Sequence, residues 1–176
     1  MVVLFITGKL ELWNNNIEDP IPTEFGSLMN MDTLDLHNNK IGGKLPNQLC
    51  SNGALRKLNL SGNDLTGTLP EMLKNCAPKL VKLHLNNNVF SGPIPSWIEN
   101  FSNVYSLHLQ ANELTGEIPT SMIKQKLPGL TDLKLELNKL TGNIDELCSA
   151  GGMTELSADC SGRYPEVECN CCTRCF

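Results

Sequence analysis

The sequence predicts an α/β solenoid of about seven short coils. Each coil gives one strand to a parallel concave sheet and a short 3₁₀ or helical segment to the convex side. Three observations predict this. A six-residue signature, L-x-L-x-x-N, recurs six times, starting at Leu10, Leu34, Leu58, Leu83, Leu107 and Leu133, with 24 to 26 residues between starts. Each copy continues alike, as IEDPIP, IGGKLP, LTGTLP, FSGPIP, LTGEIP and LTGNID. Composition is skewed, with 28 Leu and 20 Asn among 176 residues but only 5 Phe, 2 Trp and 2 Tyr, which a mixed-core globule has no reason to show.

The elements follow from the positions of the repeat. Leu10 and Leu12, like Leu83 and Leu85, alternate with polar residues, so a short strand turns the leucines inward and their neighbours outward. Stacked coils place these strands side by side at about 4.8 Å. Asn15, Asn39, Asn63, Asn88, Asn112 and Asn138 fall one per coil in the turn that follows. A primary amide there can both donate to and accept from backbone groups left buried by the turn. Gly43, Gly67, Gly92, Gly116 and Gly142 suit tight backbone, and Pro22, Pro46, Pro70, Pro95 and Pro119 fix φ on the way to the convex side. There, segments such as EMLKNCAPKL and SWIENFSNV carry apolar residues about three apart and read as short helical or 3₁₀ turns. One coil cannot bury its own apolar side, so the stack is expected to be one cooperative unit.

These positions, taken together, resemble the plant-type leucine-rich repeat, L-x-x-L-x-L-x-x-N-x-L-x-G-x-I-P-x-x-L-x-x-L, from about Lys9 to about Gly152. The resemblance implies a right-handed curved horseshoe with an internal asparagine ladder. Asp19 stands where the first coil should have Gly, and Asp145 where the sixth should have Pro. Residues 1–152 are expected to form the solenoid, with six clear coils. Residues 153–176 are expected to form a degenerate last coil, MTELSADC, and a cysteine-rich cap.

Solenoid ends expose core and need caps. Six of the eight cysteines, Cys148, Cys160, Cys169, Cys171, Cys172 and Cys175, lie in the last stretch, which reads as a disulfide-bonded cap of unspecified pairing. The competing reading is a zinc site using the C-x-x-C at Cys172 and Cys175. The tail also resembles the closing segment of certain microalgal leucine-rich repeat proteins, whose repeats form the extracellular part of a membrane-anchored chain. Cys50 and Cys76, on the convex sides of neighbouring coils, either pair with each other or stay as buried thiols.

The net charge of −5 and the lack of a basic cluster argue against nucleic acid or an anionic membrane as partner. The longest apolar run, Met1–Ile6, is far short of the ~20 residues of a membrane-spanning helix. No signal peptide is evident, yet the cysteines point to an oxidising compartment. An extracellular or cell-surface location reconciles the two if the chain is a mature region, a fragment or a truncated product, with any anchor outside it.

No catalytic or cofactor-binding signature is present, so neither enzyme activity nor a cofactor is expected. His84 and His108 share a column in adjacent strands, but no third ligand accompanies them, so a solvated polar face is expected rather than a metal site. The candidate binding residues are the outward ones. One column runs Glu11, Asp35, Asn59, His84, His108, Lys134; the next runs Trp13, His37, Ser61, Asn86, Gln110, Glu136. Trp13 is either a binding anchor or the cover of an exposed end. Asn59 and Asn100 begin glycosylation sequons, and Asn100, on the convex side, is the better acceptor. The expected function is a non-catalytic extracellular recognition module, part of a receptor-like protein, that binds a protein, peptide or glycan through its concave or lateral surface. The alternatives are a secreted inhibitor of a cell-wall hydrolase and a structural, surface-adsorbing protein.

Overall fold

The computed structural model describes residues 8–51, 53–119, 127–148, 152–161 and 166–176, apart from the side chains of Glu146 and Cys148. The apolar run Met1–Ile6 thus lies outside the described residues, as does the side chain of the disulfide candidate Cys148. Eight parallel strands form the concave sheet in the order β1 (Lys9–Glu11), β2 (Thr33–Asp35), β4 (Lys57–Asn59), β6 (Lys82–His84), β8 (Ser106–His108), β10 (Asp132–Lys134), β12 (Glu155–Ala158) and β14 (Arg174–Cys175). The register matches the repeat: Leu10, Leu34, Leu58, Leu83, Leu107, Leu133 and Leu156 are successive partners. From Leu34 onward these leucines are buried, as are Leu36, Leu60, Leu85, Leu109 and Leu135 two residues on. On the convex side, 3₁₀ segments run over Thr23–Ser27, Glu71–Cys76 and Ser96–Asn100. In the sixth coil, where Asp145 replaces the repeat's proline, a single α-helical turn covers Asp145–Cys148 instead.

A second parallel sheet, in segments whose glycines and prolines suggest only turns, flanks the first. Its six strands are β3 (Gly42–Gly43), β5 (Asp64–Thr68), β7 (Val89–Gly92), β9 (Glu113–Glu117), β11 (Lys139–Asn143) and β13 (Val167–Glu168). Leu65, Phe90, Leu114 and Leu140 point into the core from it, while Thr66, Thr115 and Thr141 face out. The repeat glycine of each coil lies in this sheet at positive φ, from +77° at Gly92 to +114° at Gly142, a region that side-chain-bearing residues rarely adopt. The first coil, with Asp19 in place of that glycine, contributes no strand to it among the described residues.

Five of the six repeat asparagines share one hydrogen-bonding pattern that links neighbouring coils. Asn88 Nδ2 donates to the carbonyls of Leu60 at 2.9 Å and Leu85 at 3.1 Å, and its Oδ1 accepts the Leu65 N–H at 3.0 Å. Asn39, Asn63, Asn112 and Asn138 repeat this pattern. Among the described residues Asn15, in the first coil, reaches only carbonyls of its own coil, and it is exposed. The residue before each ladder position is left-handed: Asn14, Asn38, Gly62, Asn87, Ala111 and Leu137 all have φ between 53° and 66°.

Backbone bonds in this turn run from each coil to the next, as in Asn38 N–H to Ser61 O at 2.8 Å and Ala111 N–H to Glu136 O at 2.9 Å. At the sixth coil the acceptor is a side chain. The Asp159 carboxylate takes the N–H groups of Leu137 at 2.9 Å and Asn138 at 3.2 Å.

The cysteine-rich tail extends both sheets by one strand. Arg174–Cys175 pairs with β12 and Val167–Glu168 with β11. Disulfides Cys160–Cys175 and Cys169–Cys172 fasten it, and Cys171 is also disulfide-bonded. The sulfurs of Cys160, Cys172 and Cys175 lie within 4.8 Å of one another, but each is already bonded to another cysteine, which leaves no thiolate there to ligate zinc. Cys50 and Cys76 pair with each other across adjacent convex segments. Among the described residues no helix is long and apolar enough to cross a membrane.

Candidate functional site

The concave sheet presents both predicted columns and a third. Because side chains alternate along a strand, the residue before each first leucine shares the face of the residue after it. This adds Lys9, Thr33, Lys57, Lys82, Ser106, Asp132 and Glu155 to that face, with Thr33 and Ser106 buried in it. The same period of two would have found them in the sequence, had the template been read one position further back. A groove of about 250 Å³ opens over the first four strands, lined by Lys9, Lys57 and Lys82 on one side and Glu11, Asp35 and Asn59 on the other.

At the start of the face, Trp13 is about half exposed and stacks on His37, with ring centroids 5.5 Å apart. His37 Nδ1 lies 2.6 Å from Asp35 Oδ1, Asn59 Nδ2 donates to Asp35 Oδ2 at 3.2 Å, and Ser61 donates to Asn59 Oδ1 at 2.8 Å. The concave sequon asparagine is thus half-buried with its amide engaged, whereas Asn100, whose Nδ2 donates to Trp97 O at 2.7 Å, is exposed on the convex side.

Further along, His84 and His108 stack face to face, 4.0 Å apart and 4° from parallel. Ser106 donates to Asp132 Oδ2 at 2.7 Å, and His108 Nε2 sits 2.7 Å from the same oxygen. With its proton committed to Asp132, Ser106 Oγ accepts from His84 Nε2 at 2.8 Å. Burial foremost, then the nearby His108 and Lys82 charges, pushes the His84 pKa down to about 4, so His84 is neutral at pH 7. Burial alone would raise the Asp132 pKa; the hydrogen bonds from Ser106 and His108, with the His108 and Lys134 charges, outweigh it and lower it.

The histidine pair is thus knitted into a partly buried chain of hydrogen bonds, not the solvated polar face expected from the sequence. Two parallel rings cannot hold one metal ion in both ring planes. Nor is the set of Ser, His and Asp a catalytic triad, because the serine hydroxyl is buried and donates to the aspartate rather than to a histidine.

Beyond this network the face is largely closed on itself. Lys134 pairs with Glu155 at 3.0 Å, and Glu136, predicted as a ligand-facing residue, is buried and accepts from Ser157. Asn86 and Gln110 remain half-buried on the same face.

A stacked sheet of repeated coils with a polar concave face defines a solenoid recognition scaffold. Family models described as Leucine rich repeat and Leucine Rich Repeat match residues 8–65 and 79–101, and the chain belongs to the leucine-rich repeat family. No curated protein matches it.

Among solved structures it is similar to the plant peptide hormone receptor RGFR1 in complex with RGF2. That match has 33% identity and a TM-score of 0.79, over 92% of this chain and 24% of that one. It is also similar to the ectodomain of the receptor kinase GASSHO1/SCHENGEN3 from Arabidopsis thaliana in complex with CASPARIAN STRIP INTEGRITY FACTOR 2, with 31% identity, TM-score 0.77, and 90% and 20% covered. A third is the Arabidopsis receptor kinase HAESA with the peptide hormone IDA and the co-receptor SERK1, with 29% identity, TM-score 0.79, and 92% and 29% covered. The chain therefore spans less than a third of each of these proteins.

Proposed function

We propose that the chain is a non-catalytic, extracellular recognition module of a receptor-like protein, which binds a protein segment or peptide on its concave sheet. The observation that carries this reading is the groove over the first four strands, built by polar and charged side chains on a rigid sheet that loses little freedom when a ligand settles. Three further points support it. Similar chains were solved with peptide hormones. Disulfides persist in oxidising compartments. Trp13 stands half exposed beside the groove, where an anchor is useful. A glycan on exposed Asn100 would leave the concave face open.

The test is to pass a peptide fraction of extracellular fluid over the immobilised chain, identify what is retained, and titrate it against two variants. Trp13→Ala is expected to weaken binding by about 1 kcal/mol or more. Trp97→Ala, on the convex side against Phe101, is expected to leave binding within about 0.5 kcal/mol. Loss of binding in Trp97→Ala with none in Trp13→Ala would overturn the assignment of the face.

A further inference from the structure

Charges on the concave face lie in two adjacent columns that run in opposite senses. The column before the first leucine goes from Lys9, Lys57 and Lys82 to Asp132 and Glu155; the column after it goes from Glu11 and Asp35 to His108 and Lys134. In the later coils the two columns engage one another, His108 on Asp132 at 2.7 Å and Lys134 on Glu155 at 3.0 Å.

In the earlier coils they do not. Asp35 is engaged by His37 and Asn59. Among the described residues Lys9, Lys57 and Lys82 have no carboxylate within ion-pair distance, and the Lys82 ammonium instead lies 5.5 Å from the centre of the Tyr105 ring. Lys57 and Lys82 are direct partners on neighbouring strands, an arrangement of like charges that is unfavourable unless something negative joins it.

We infer that the groove takes an extended peptide that lays an acidic side chain on the Lys57–Lys82 pair. This rests on the concave-face reading above and names the chemistry it recognises. The first four strands span three steps of about 4.8 Å, roughly 14 Å, which matches about four residues of extended peptide. The chain carries a net charge of −5 and repels an acidic peptide at long range. Attraction of such a peptide must then come from the lysine column itself, and it weakens as salt screens it.

Fluorescence anisotropy on the full chain at low ionic strength tests this with three labelled probes: Gly-Glu-Gly-Glu-Gly-Glu-Gly and its glutamine and lysine counterparts. The glutamate probe is expected to bind saturably and the glutamine probe about tenfold more weakly or worse; Lys57→Ala/Lys82→Ala lowers glutamate-probe affinity by about tenfold. Lys57→Arg/Lys82→Arg retains binding, and Lys139→Ala, on the second sheet, leaves it unchanged. Thermal melting confirms that each variant is folded.

Failure of the glutamate probe to bind, equal binding of the glutamate and glutamine probes, or indifference to the lysine double substitution overturns the acidic-ligand assignment. If the lysine or glutamine probe binds instead and is lost in Trp13→Ala, the acidic assignment falls while the concave-face reading stands. If no probe responds to any concave substitution, both fall.

Discussion

Replacing Asn88 by alanine tests the ladder where its consequences can be traced bond by bond. The side chain makes two good bonds to carbonyls, at Leu60 and Leu85, and receives one from the Leu65 N–H. Its removal does not orphan the carbonyls, because Leu60 O keeps the amide of Asn63 and Leu85 O keeps that of Asn112. The Leu65 N–H has no such reserve, and an unpaired buried donor costs about 1–3 kcal/mol. The two lost carbonyl bonds add somewhat under about 1 kcal/mol each, because their acceptors stay satisfied. The expected loss is therefore about 2–4 kcal/mol, read as a shift of the urea midpoint at unchanged slope. Asn86→Ala, two residues away on the concave face, should cost less than about 0.5 kcal/mol. Asn88→Asp should be worse than Asn88→Ala at neutral pH, since it sets a buried carboxylate oxygen against the carbonyls that the amide nitrogen served. Equal midpoints for Asn88→Ala and Asn86→Ala, or a milder Asn88→Asp, would refute the assignment.

Ala111 is left-handed at φ 54°, so Ala111→Gly should stabilise by about 0.5–1 kcal/mol, the relief of left-handed strain less the entropy of a freer unfolded chain. Gly62→Ala, at φ 66° with a new Cβ driven onto Asn38 Oδ1, should destabilise in the same denaturant assay by more than Ala111→Gly gains. Joint replacement of Cys50 and Cys76, 26 residues apart, should cost about 3 kcal/mol of loop-closure entropy, compared by thermal melting in reducing and non-reducing buffer. His84 carries a pKa of about 4 in the fold against an ordinary 6.5, so the unfolded chain binds the proton first. Stability should fall as pH drops from about 6.5 towards 4, by up to about 3 kcal/mol, and His84→Gln should flatten that slope in acid titrations followed by circular dichroism.

The leucine and asparagine positions were legible because each needs one residue type once per coil. Leu83 faces the core by strand parity, and the buried polar groups of the turn demand an amide at Asn88. The second sheet was also written in the sequence, as Leu65, Phe90, Leu114 and Leu140 alternating with outward neighbours, but the glycine in each segment masked it. Gly67 reads as a turn residue until its partner strands are known. The His84–Ser106–Asp132–His108 network was legible only in part. Its histidines shared a predicted column, yet Ser106 and Asp132 stood in the unread column before the leucines, and tight stacking of two rings follows from packing rather than spacing. Pairing of the clustered cysteines could not be read at all, because six cysteines are compatible with many connectivities.

The turn bonds give the solenoid a polarity. Each coil offers N–H donors to the next, so every boundary between coils is chemically a donor edge on one side and an acceptor edge on the other. Asp159 spends the donors of the sixth coil, at Leu137 and Asn138, inside the chain. A further coil arriving there brings carbonyl oxygens up against a carboxylate and is repelled. A single acidic residue thus works against end-to-end association at this turn, much as an inward charge blunts the edge of an ordinary sheet.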